Sequence, residues 1–283
     1  MERKITEKVL SEYRKYLYEE EKSSATIKKY ICDLKKLQNY VEGKELTKAL
    51  IIEYKEYLRK DGRYKTSSIN SFLVAANRLF EYLGWYDLRV KTFKIQKESF
   101  VPENKELSKE EYKKLVRAAK RLGRERIALI LQTICATGIR VSELSAITVA
   151  TVRKGEATIH NKGKERQILL SRDLQIKLIR YMKKQGIRHG AVFQTAAGKA
   201  VDRTSIWRDM KKLCKEAEVD EEKVFPHNLR HLFARTFYRI DRDIAKLADI
   251  LGHSSIDTTR IYLRESGNKC RKQLESMKLL VGR

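Results

Sequence analysis

The sequence predicts a mainly α-helical protein of two domains, with one small β-hairpin in the second domain. The length of 283 residues suits two domains at ~100–200 residues each. Apolar residues recur at spacings of three and four along most of the chain, a pattern typical of amphipathic helices. The composition, 42% apolar and 35% charged, is that of a globular protein with a heavily charged surface.

The first domain is predicted to span residues 1–92 and to contain four helices. Each of its helical segments places apolar residues on one face, and Thr or Ser stands where an N-cap belongs. The predicted segments are residues 6–21, 24–41, 47–61 and 66–84.

A linker is predicted at residues 93–106. This stretch is polar, lacks helical periodicity and contains Pro102, one of only two prolines in the chain. Ser108 and Glu111 then form the pattern of a capping box, which marks the start of the next helix. Residues 107–283 are therefore expected to form the second domain.

The second domain is predicted to be helical except at residues 155–171. There, two short β-prone runs flank a turn at Asn161–Lys164, which indicates a hairpin. The predicted helices that follow cover residues 173–186, 203–219, 228–239 and 243–252.

The net charge of +25 points to a polyanionic partner. The excess of Lys and Arg is spread over both halves of the chain, so it is not a basic tail. Such a charge repels itself unless a polyanion neutralises it, and nucleic acid is the usual one. A solvated surface or an acidic protein partner is the alternative.

Several classes of protein are excluded by what the sequence lacks. No apolar run approaches the ~20 residues that a bilayer requires, and the charged N-terminus is not a signal peptide, so a cytoplasmic protein without a membrane partner is expected. The four cysteines have no metal-binding spacing. Gly-rich nucleotide-binding patterns are absent, and we expect no cofactor and no metal.

The segment ICATGIRVSELSAI, residues 134–147, places a charged pair in apolar surroundings. An apolar helix stops at Gly138, Arg140 follows, and Glu143 lies about one turn later. An arginine among Ile, Val and Leu needs an anion. Glu143 could be that anion, or it could orient Arg140 toward a phosphate, and this segment leaves both open.

The segment FPHNLRHLFART, residues 225–236, offers two further donors. His227 and Arg230 are three residues apart after Pro226, on one helix face, whereas His231 is expected to point about 100° away from His227. The pair could cap and decorate a helix N-terminus, or it could present two donors to one oxyanion.

The segment LGHSSIDTTRIYL, residues 251–263, joins two predicted helices. Gly252 is expected to end the first helix, and Ser254 or Ser255 to cap the second. His253 lies at this junction, and Tyr262 is expected about two turns into the second helix. A lone tyrosine here would usually be a core residue with its hydroxyl satisfied.

Taken together, these motifs resemble the tyrosine recombinases, particularly the short cellular Xer recombinases. The resemblance is carried by GIRVSEL, HNLRH, LGHSSIDTTRIY and the hairpin NKGKER. It extends over both domains, although the match of the N-terminal helices to a core-binding domain is one of pattern only.

The resemblance implies a role for each charged or nucleophilic residue. Tyr262 would attack the scissile phosphate, and Arg140 and Arg230 would clamp its non-bridging oxygens. His227 and His253 would complete the phosphate cradle, with His227 accepting the tyrosine proton. Without a metal, such a set could transfer a phosphoryl group to the phenol.

Two further roles follow from the same resemblance. Glu143 would hold Arg140 or a histidine in place, and Lys162 would protonate the leaving 5′ oxygen, with Lys164 and Arg166 lowering its pKa. The family's usual hairpin reads GKGxKER, one residue longer than NKGKER here, so Lys164 is an alternative to Lys162.

The implied activity is site-specific recombination through a 3′-phosphotyrosyl intermediate. The partners would be double-stranded DNA with a short inverted-repeat site and a homo-tetramer formed on it, as in the resolution of chromosome dimers. A C-terminal helix with Leu274, Met277 and Leu280 would dock into a neighbouring subunit. The alternatives are a type IB topoisomerase and a non-catalytic DNA-binding protein of the same fold.

Overall fold

The computed structural model describes most of the chain as two separate units. The described residues are 3–95, 105–161, 164–263 and 267–279, and the units are Met1–Lys97 and Glu98–Arg283. Both are mainly helical, and a single two-stranded sheet occurs among the described residues, so the predicted fold class is confirmed. No helix within these ranges is long and apolar enough to cross a membrane.

The first unit is built from amphipathic helices around one apolar core. The side chains of Thr6, Ser23 and Thr47 each accept a hydrogen bond from an amide of the first turn, as the N-cap pattern predicts. The buried core includes Leu34, Ile51, Leu73 and Phe80. The α-helices of the described part are α1 (Glu7–Glu19), α2 (Ser24–Val41), α3 (Lys48–Lys60) and α4 (Thr66–Tyr82).

Two asparagines of α4 fix the chain segment that follows the helix. Asn77 donates to the carbonyl oxygen of Val90 (2.8 Å) and accepts from its amide (2.9 Å). Asn70, two turns earlier, makes the same pair of bonds with Phe93 (2.9 and 2.8 Å). The first unit therefore extends at least to Phe93. The predicted linker, residues 93–106, falls mostly on residues 96–104, which lie outside the described residues.

The second unit has its core around α6, which is apolar on nearly all sides and packs against four other helices. The predicted capping box is present at the start of α5, where Ser108 and Glu111 bond each other's amides. The helices are α5 (Lys109–Arg121), α6 (Glu125–Thr137), α7 (Val149–Lys154), α8 (Arg172–Gln185), α9 (Arg203–Ala217), α10 (Pro226–Asp241), α11 (Ile244–Leu251), α12 (Ile256–Arg260) and α13 (Gly267–Ser276).

The predicted hairpin forms between α7 and α8. Strand β1 (Glu156–Asn161) pairs antiparallel with β2 (Lys164–Leu169), and Ile159 lies opposite Arg166. The buried side chains of Ile159 and Ile168 lie against the core of the unit, and Arg166, at an alternate position to the exposed Glu165 and Gln167, shares this face. The hairpin thus directs one arginine into the protein.

Two of the glycines that end helices in this unit lie against side chains of the site region. Gly138 after α6 and Gly252 after α11 have φ values of 66° and 65°. A Cβ on Gly138 would lie 2.4 Å from the Phe233 ring, and one on Gly252 would lie 2.6 Å from Cδ of Arg166. Both glycines therefore provide a left-handed C-terminal turn and room for a close neighbour.

Candidate active site

The C-terminal ends of α6 and α11 together bind the side chain of Arg230. This arginine of α10 is 1% exposed. Its Nη1 donates to the carbonyl oxygen of Gly138 (2.5 Å), and its Nη2 donates to that of Leu251 (2.6 Å). These carbonyls have no partner within their own helices and carry the negative end of the helix dipole. Arg230 is thus fixed without any substrate.

Arg140 is held from two sides but remains more accessible than Arg230. Its Nη1 donates to Oε1 of Glu143 (2.9 Å), and its Nη2 donates to the carbonyl oxygen of Gly252 (3.4 Å). The side chain is 31% exposed. It lines a cleft of ≈ 900 Å³, which β2 and His253 also border. An anion in this cleft could reach Arg140.

Glu143 is a buried carboxylate shared by two arginines. It lies in a 3₁₀ turn, Val141–Ala146, and also accepts from the Arg140 amide (2.8 Å). Arg166 donates to both of its oxygens, through Nη1 (3.0 Å) and Nη2 (2.7 Å). Burial raises the pKa of Glu143, but the hydrogen bonds from Arg166 and Arg140 outweigh it and bring the pKa to about 2. Glu143 is therefore ionised at neutral pH.

Arg166 also binds the C-terminal end of α11. Its Nε donates to the carbonyl oxygen of Ile250 (3.2 Å), and its side chain is only 9% exposed. The carbonyls of Ile250, Leu251 and Gly252 thus accept in turn from Arg166, Arg230 and Arg140. One helix terminus orients three guanidinium groups.

His253 follows directly on this terminus and is held as a neutral imidazole. Its Nε2 accepts from Nη2 of Arg230 (3.0 Å), so Nδ1 carries the proton and donates to Oγ1 of Thr259 (2.8 Å). Burial, followed by the charges of Arg230 and Arg140, lowers the pKa of His253 to about 4. Ser255 caps the next helix, α12, as one of the two predicted candidates.

His227 and His231 lie together near the start of α10. Their ring centroids are 4.8 Å apart. The expectation that His231 points about 100° away is wrong, because four residues advance a helix by only about 40° beyond a full turn. Burial lowers the pKa of His231 to about 3, with His227 adding to it, and burial and Arg230 lower the pKa of His227.

Tyr262 lies among these histidines. It belongs to a 3₁₀ turn, Ile261–Leu263, directly after α12, and not to the interior of a longer helix as predicted. Its hydroxyl is 3.3 Å from Nε2 of His227, and its ring packs edge-on against His231 at 4.2 Å. The side chain is buried.

The Tyr262 hydroxyl is also close to a guanidinium. Burial and the charge of Arg140 lower the pKa of Arg230, while the contact with the Tyr262 hydroxyl raises it, with a net value of about 10. The Nε of Arg230 is buried and has no hydrogen-bond partner among the described residues. An oxyanion entering beside Tyr262 could satisfy this group.

The two predicted lysines differ in what the structure describes. Lys162 lies outside the described residues, and Lys164 is described only as the first residue of β2. Arg166, expected to lower the pKa of Lys162, is paired with Glu143. Within the described ranges, no group of three or more His, Cys, Asp or Glu residues could hold a metal ion.

Family models match both units. The phage integrase family model matches residues 105–269, and the phage integrase N-terminal SAM-like domain model matches residues 10–86. The chain belongs to the phage integrase family. It is a tyrosine recombinase of the Xer type, an enzyme that breaks and rejoins DNA strands at specific sites.

Curated tyrosine recombinases align with most of the length of this chain. It is 30% identical over 285 residues to tyrosine recombinase XerA of Pyrococcus horikoshii, with 98% of this chain and 95% of the relative covered. It is 31% identical over 288 residues to XerA of Pyrococcus furiosus, covering 99% and 97%. Tyrosine recombinase XerD of Halalkalibacterium halodurans is 29% identical over 277 residues, covering 88% and 90%.

Solved structures share the fold. The crystal structure of XerA recombinase is 27% identical and superimposes with a TM-score of 0.54, covering 97% of this chain and 99% of that one. A lambda integrase dimer bound to a core site has a TM-score of 0.75 at 16% identity, covering 93% and 96%, which shows similarity of fold alone.

Sequence reasoning missed three residues of this site. The sequence motifs assign Arg166 only an effect on Lys162, the predicted geometry places His231 on another helix face, and no motif gives Thr259 a role. The spacing of four residues between His227 and His231 places both on one helix face, and this signal could have identified His231. No local signal links Arg166 to Glu143, which is 23 residues away.

The low pKa of His253 predicts a loss of stability in acid. Its folded pKa of about 4 lies below the ordinary 6.5, so the unfolded chain takes up the proton first. The stabilisation is complete above pH 6.5 and is lost as the pH falls toward 4. In His253→Gln the amide oxygen can still accept from Arg230, but the side chain does not titrate. When the pH falls from 7 to 4.5, we expect the free energy of unfolding of this variant to decrease by about 2–3 kcal/mol less than that of the unsubstituted protein.

Urea unfolding followed by Trp207 fluorescence, in a Trp85→Phe background, measures this difference in the second unit. The exposed His189 provides the matched control, and His189→Gln should keep the acid sensitivity of the unsubstituted protein. If His253→Gln is as sensitive to acid as the unsubstituted protein, protonation of His253 is not the cause of the loss of stability.

Proposed function

We propose that the recombinase cleaves DNA by attack of the Tyr262 hydroxyl on the scissile phosphate. The proposal rests on the contacts of this hydroxyl with the side chains of His227 and Arg230 in the same chain. A bond forms between the phenolic oxygen and phosphorus, and the bond from phosphorus to the 5′ oxygen breaks. The products are a 3′-phosphotyrosyl bond and a free 5′ hydroxyl. Since the phosphoester is conserved, a second 5′ hydroxyl can reverse the step and join strands.

Arg140 and Arg230 bind the non-bridging oxygens in this proposal. Both guanidiniums are oriented by helix-terminal carbonyls before DNA arrives, so they need little reorganisation when charge builds on phosphorus. Loss of one such donor commonly costs about 3–4 kcal/mol of transition-state stabilisation. The unpartnered Nε of Arg230 supports a phosphate contact at this position.

His227 takes the tyrosine proton. Its Nε2 is positioned to accept from the hydroxyl at 3.3 Å, and its lowered pKa keeps it unprotonated at neutral pH. His253 has a different role, since its Nε2 accepts from Arg230 and its proton lies on the side of Thr259. It completes the cradle by fixing Arg230.

Lys162 protonates the leaving 5′ oxygen, with Lys164 as the alternative donor. A lysine amine suits this task where neighbouring cations lower its pKa, because the protonated amine then gives up its proton more readily. Residues of both hairpin strands line the same cleft as Arg140, which supports a proton donor from the hairpin.

The recombinase assembles as a tetramer on a short inverted-repeat site and resolves chromosome dimers. Relatives of the same fold include a XerH recombinase bound to a palindromic site and a lambda integrase tetramer bound to a Holliday junction. The first unit, residues 1–92 in the sequence prediction, serves as the core-type DNA-binding domain, and its match to the family's N-terminal model supports this.

The helix α13 is proposed to exchange between subunits. Leu274 is 68% exposed and Met277 is 55% exposed, so these apolar side chains are not covered by their own unit. Leu280, predicted to belong to the same face, lies outside the described residues. Docking of α13 into a neighbouring catalytic domain would bury this face.

Tyr262→Phe should abolish covalent attachment to DNA, because the nucleophilic oxygen is removed. A labelled library of nicked duplexes from the source chromosome supplies suicide substrates, and adducts are recovered under denaturing conditions and mapped by peptide sequencing. Tyr238→Phe, a neighbour in the same apolar cluster, is the matched control and should retain attachment. An adduct on any other residue, or none with the unsubstituted protein, would refute the proposed nucleophile.

The lysine that acts as general acid can be identified with a sulfur leaving group. Replacing the bridging 5′ oxygen by sulfur gives a thiolate that departs without protonation. Lys162→Ala should slow cleavage of ordinary DNA by about 10²–10⁴-fold and recover on the sulfur substrate. Lys164→Ala is the matched comparison. If it alone shows this pattern, Lys164 is the donor, and equal losses on both substrates would exclude the tested lysine.

Chromosome-wide mapping of adducts tests the proposed site. We expect covalent attachment to concentrate at one short inverted repeat, with two cleavage positions separated by a few base pairs. Deletion of that repeat should leave chromosome dimers unresolved in dividing cells. Adducts scattered over unrelated sequences would contradict a dimer-resolving recombinase and favour a topoisomerase.

A further inference from the structure

We propose that Arg166 is a positioning residue for the phosphate pocket, acting through Glu143 on Arg140 and through the end of α11 on His253. This inference rests on the proposed function, since it assigns Arg166 a part in binding the same phosphate. Arg166 need not touch DNA for this role.

Arg166 determines how the two oxygens of the Glu143 carboxylate are shared between the arginines. Arg166 donates to both oxygens, whereas the side chain of Arg140 donates only to Oε1. A lone Arg–Glu pair prefers the bidentate arrangement, in which both guanidinium nitrogens face the carboxylate. By occupying Oε2, together with the Arg140 amide, Arg166 opposes this arrangement. Arg140 can then keep a donor edge toward the cleft.

Arg166 also sets the net charge beside the cleft. One buried carboxylate lies between two guanidiniums, so the group of Arg140, Glu143 and Arg166 keeps a net positive charge. Arg230 and His253 face the same group, and the histidine is neutral. Without Arg166, Glu143 would neutralise Arg140, and the attraction for a phosphate in the cleft would fall.

Arg166 also contacts the C-terminal end of α11. The Nε bond to the Ile250 carbonyl and the close packing of the Arg166 stem on Gly252 fix the turn that carries His253. The same turn supplies the Leu251 and Gly252 carbonyls to Arg230 and Arg140. Arg166 therefore joins the hairpin to both phosphate-binding arginines.

The test compares cleavage of a phosphodiester with cleavage of a methylphosphonate at the same scissile position, using both stereoisomers. The methylphosphonate lacks the negative charge that Arg140 neutralises. Arg140→Ala should lose about 10²–10³-fold in the rate of attachment on the phosphodiester and much less on the neutral substrate.

Arg166→Ala should follow the same pattern. We expect a loss of up to about 10²-fold on the phosphodiester, as for a displaced catalytic group, and a loss of only a few-fold on the methylphosphonate. Arg166→Lys, which keeps the charge but cannot occupy both carboxylate oxygens, should show a smaller loss with the same substrate dependence. It also serves as the readout if Arg166→Ala folds poorly.

Matched controls separate positioning from general destabilisation. Gly252→Ala pushes a methyl group against Arg166, whereas Gly186→Ala introduces the same backbone strain, φ 67°, with no atom within 4 Å. Only Gly252→Ala should reproduce the charge-dependent loss. Arg121→Ala, which removes an exposed arginine paired with Glu216, should cleave both substrates normally.

The outcomes distinguish the inference from the function on which it rests. If Arg140→Ala recovers on the methylphosphonate but both Arg166 variants lose equally on the two substrates, Arg166 is merely structural and the inference fails alone. If Arg140→Ala does not recover, or the unsubstituted protein forms no adduct, the proposed phosphate clamp fails and the inference fails with it.

Discussion

The site depends on the binding of arginine side chains by the ends of two helices. The last carbonyls of α11, with Gly138 after α6, accept hydrogen bonds from Arg140, Arg166 and Arg230. A helix C-terminus leaves these oxygens unsatisfied and carries a partial negative charge. The protein thus satisfies its own helix ends with guanidinium groups, and the Glu143 carboxylate adds a second fixed partner for Arg140 and Arg166.

This arrangement brings several positive charges close together, and the shifted pKa values of the neighbouring groups reflect the resulting repulsion. Burial, with the charge of Arg140, lowers the pKa of Arg230 to about 10, while Glu143 stays ionised with a pKa of about 2. Among the described residues, Glu143 is the only buried carboxylate that contacts these arginines, and Arg140 and Arg166 share it. The remaining positive charge would favour the binding of an anion, which would relieve the repulsion among the guanidiniums.

Local sequence signals predicted the elements of this site but not all its connections. The helix ends at Gly138 and Gly252 follow from a local preference of glycine for the left-handed turn, and the alternation in the hairpin is visible over a few residues. The pairing of Arg166 with the Ile250 carbonyl spans 84 residues and depends on how the hairpin packs against α11. The sequence predicts Tyr262 within a longer helix, because apolar periodicity does not distinguish an α-helix from a following 3₁₀ turn.

Burial and the same cations explain how three histidines can lie around Tyr262. A protonated imidazole would repel Arg230 and could not accept a proton from Tyr262. Burial and the neighbouring arginines keep His253 and His231 neutral, with pKa values of about 4 and 3. Neutral rings pack against the phenol as apolar surfaces, at 4.2 Å for His231. Burial, with the neighbouring arginines, lowers the pKa of all three histidines, which favours neutral rings around Tyr262. A neutral His227 can accept a hydrogen bond from the Tyr262 hydroxyl through Nε2.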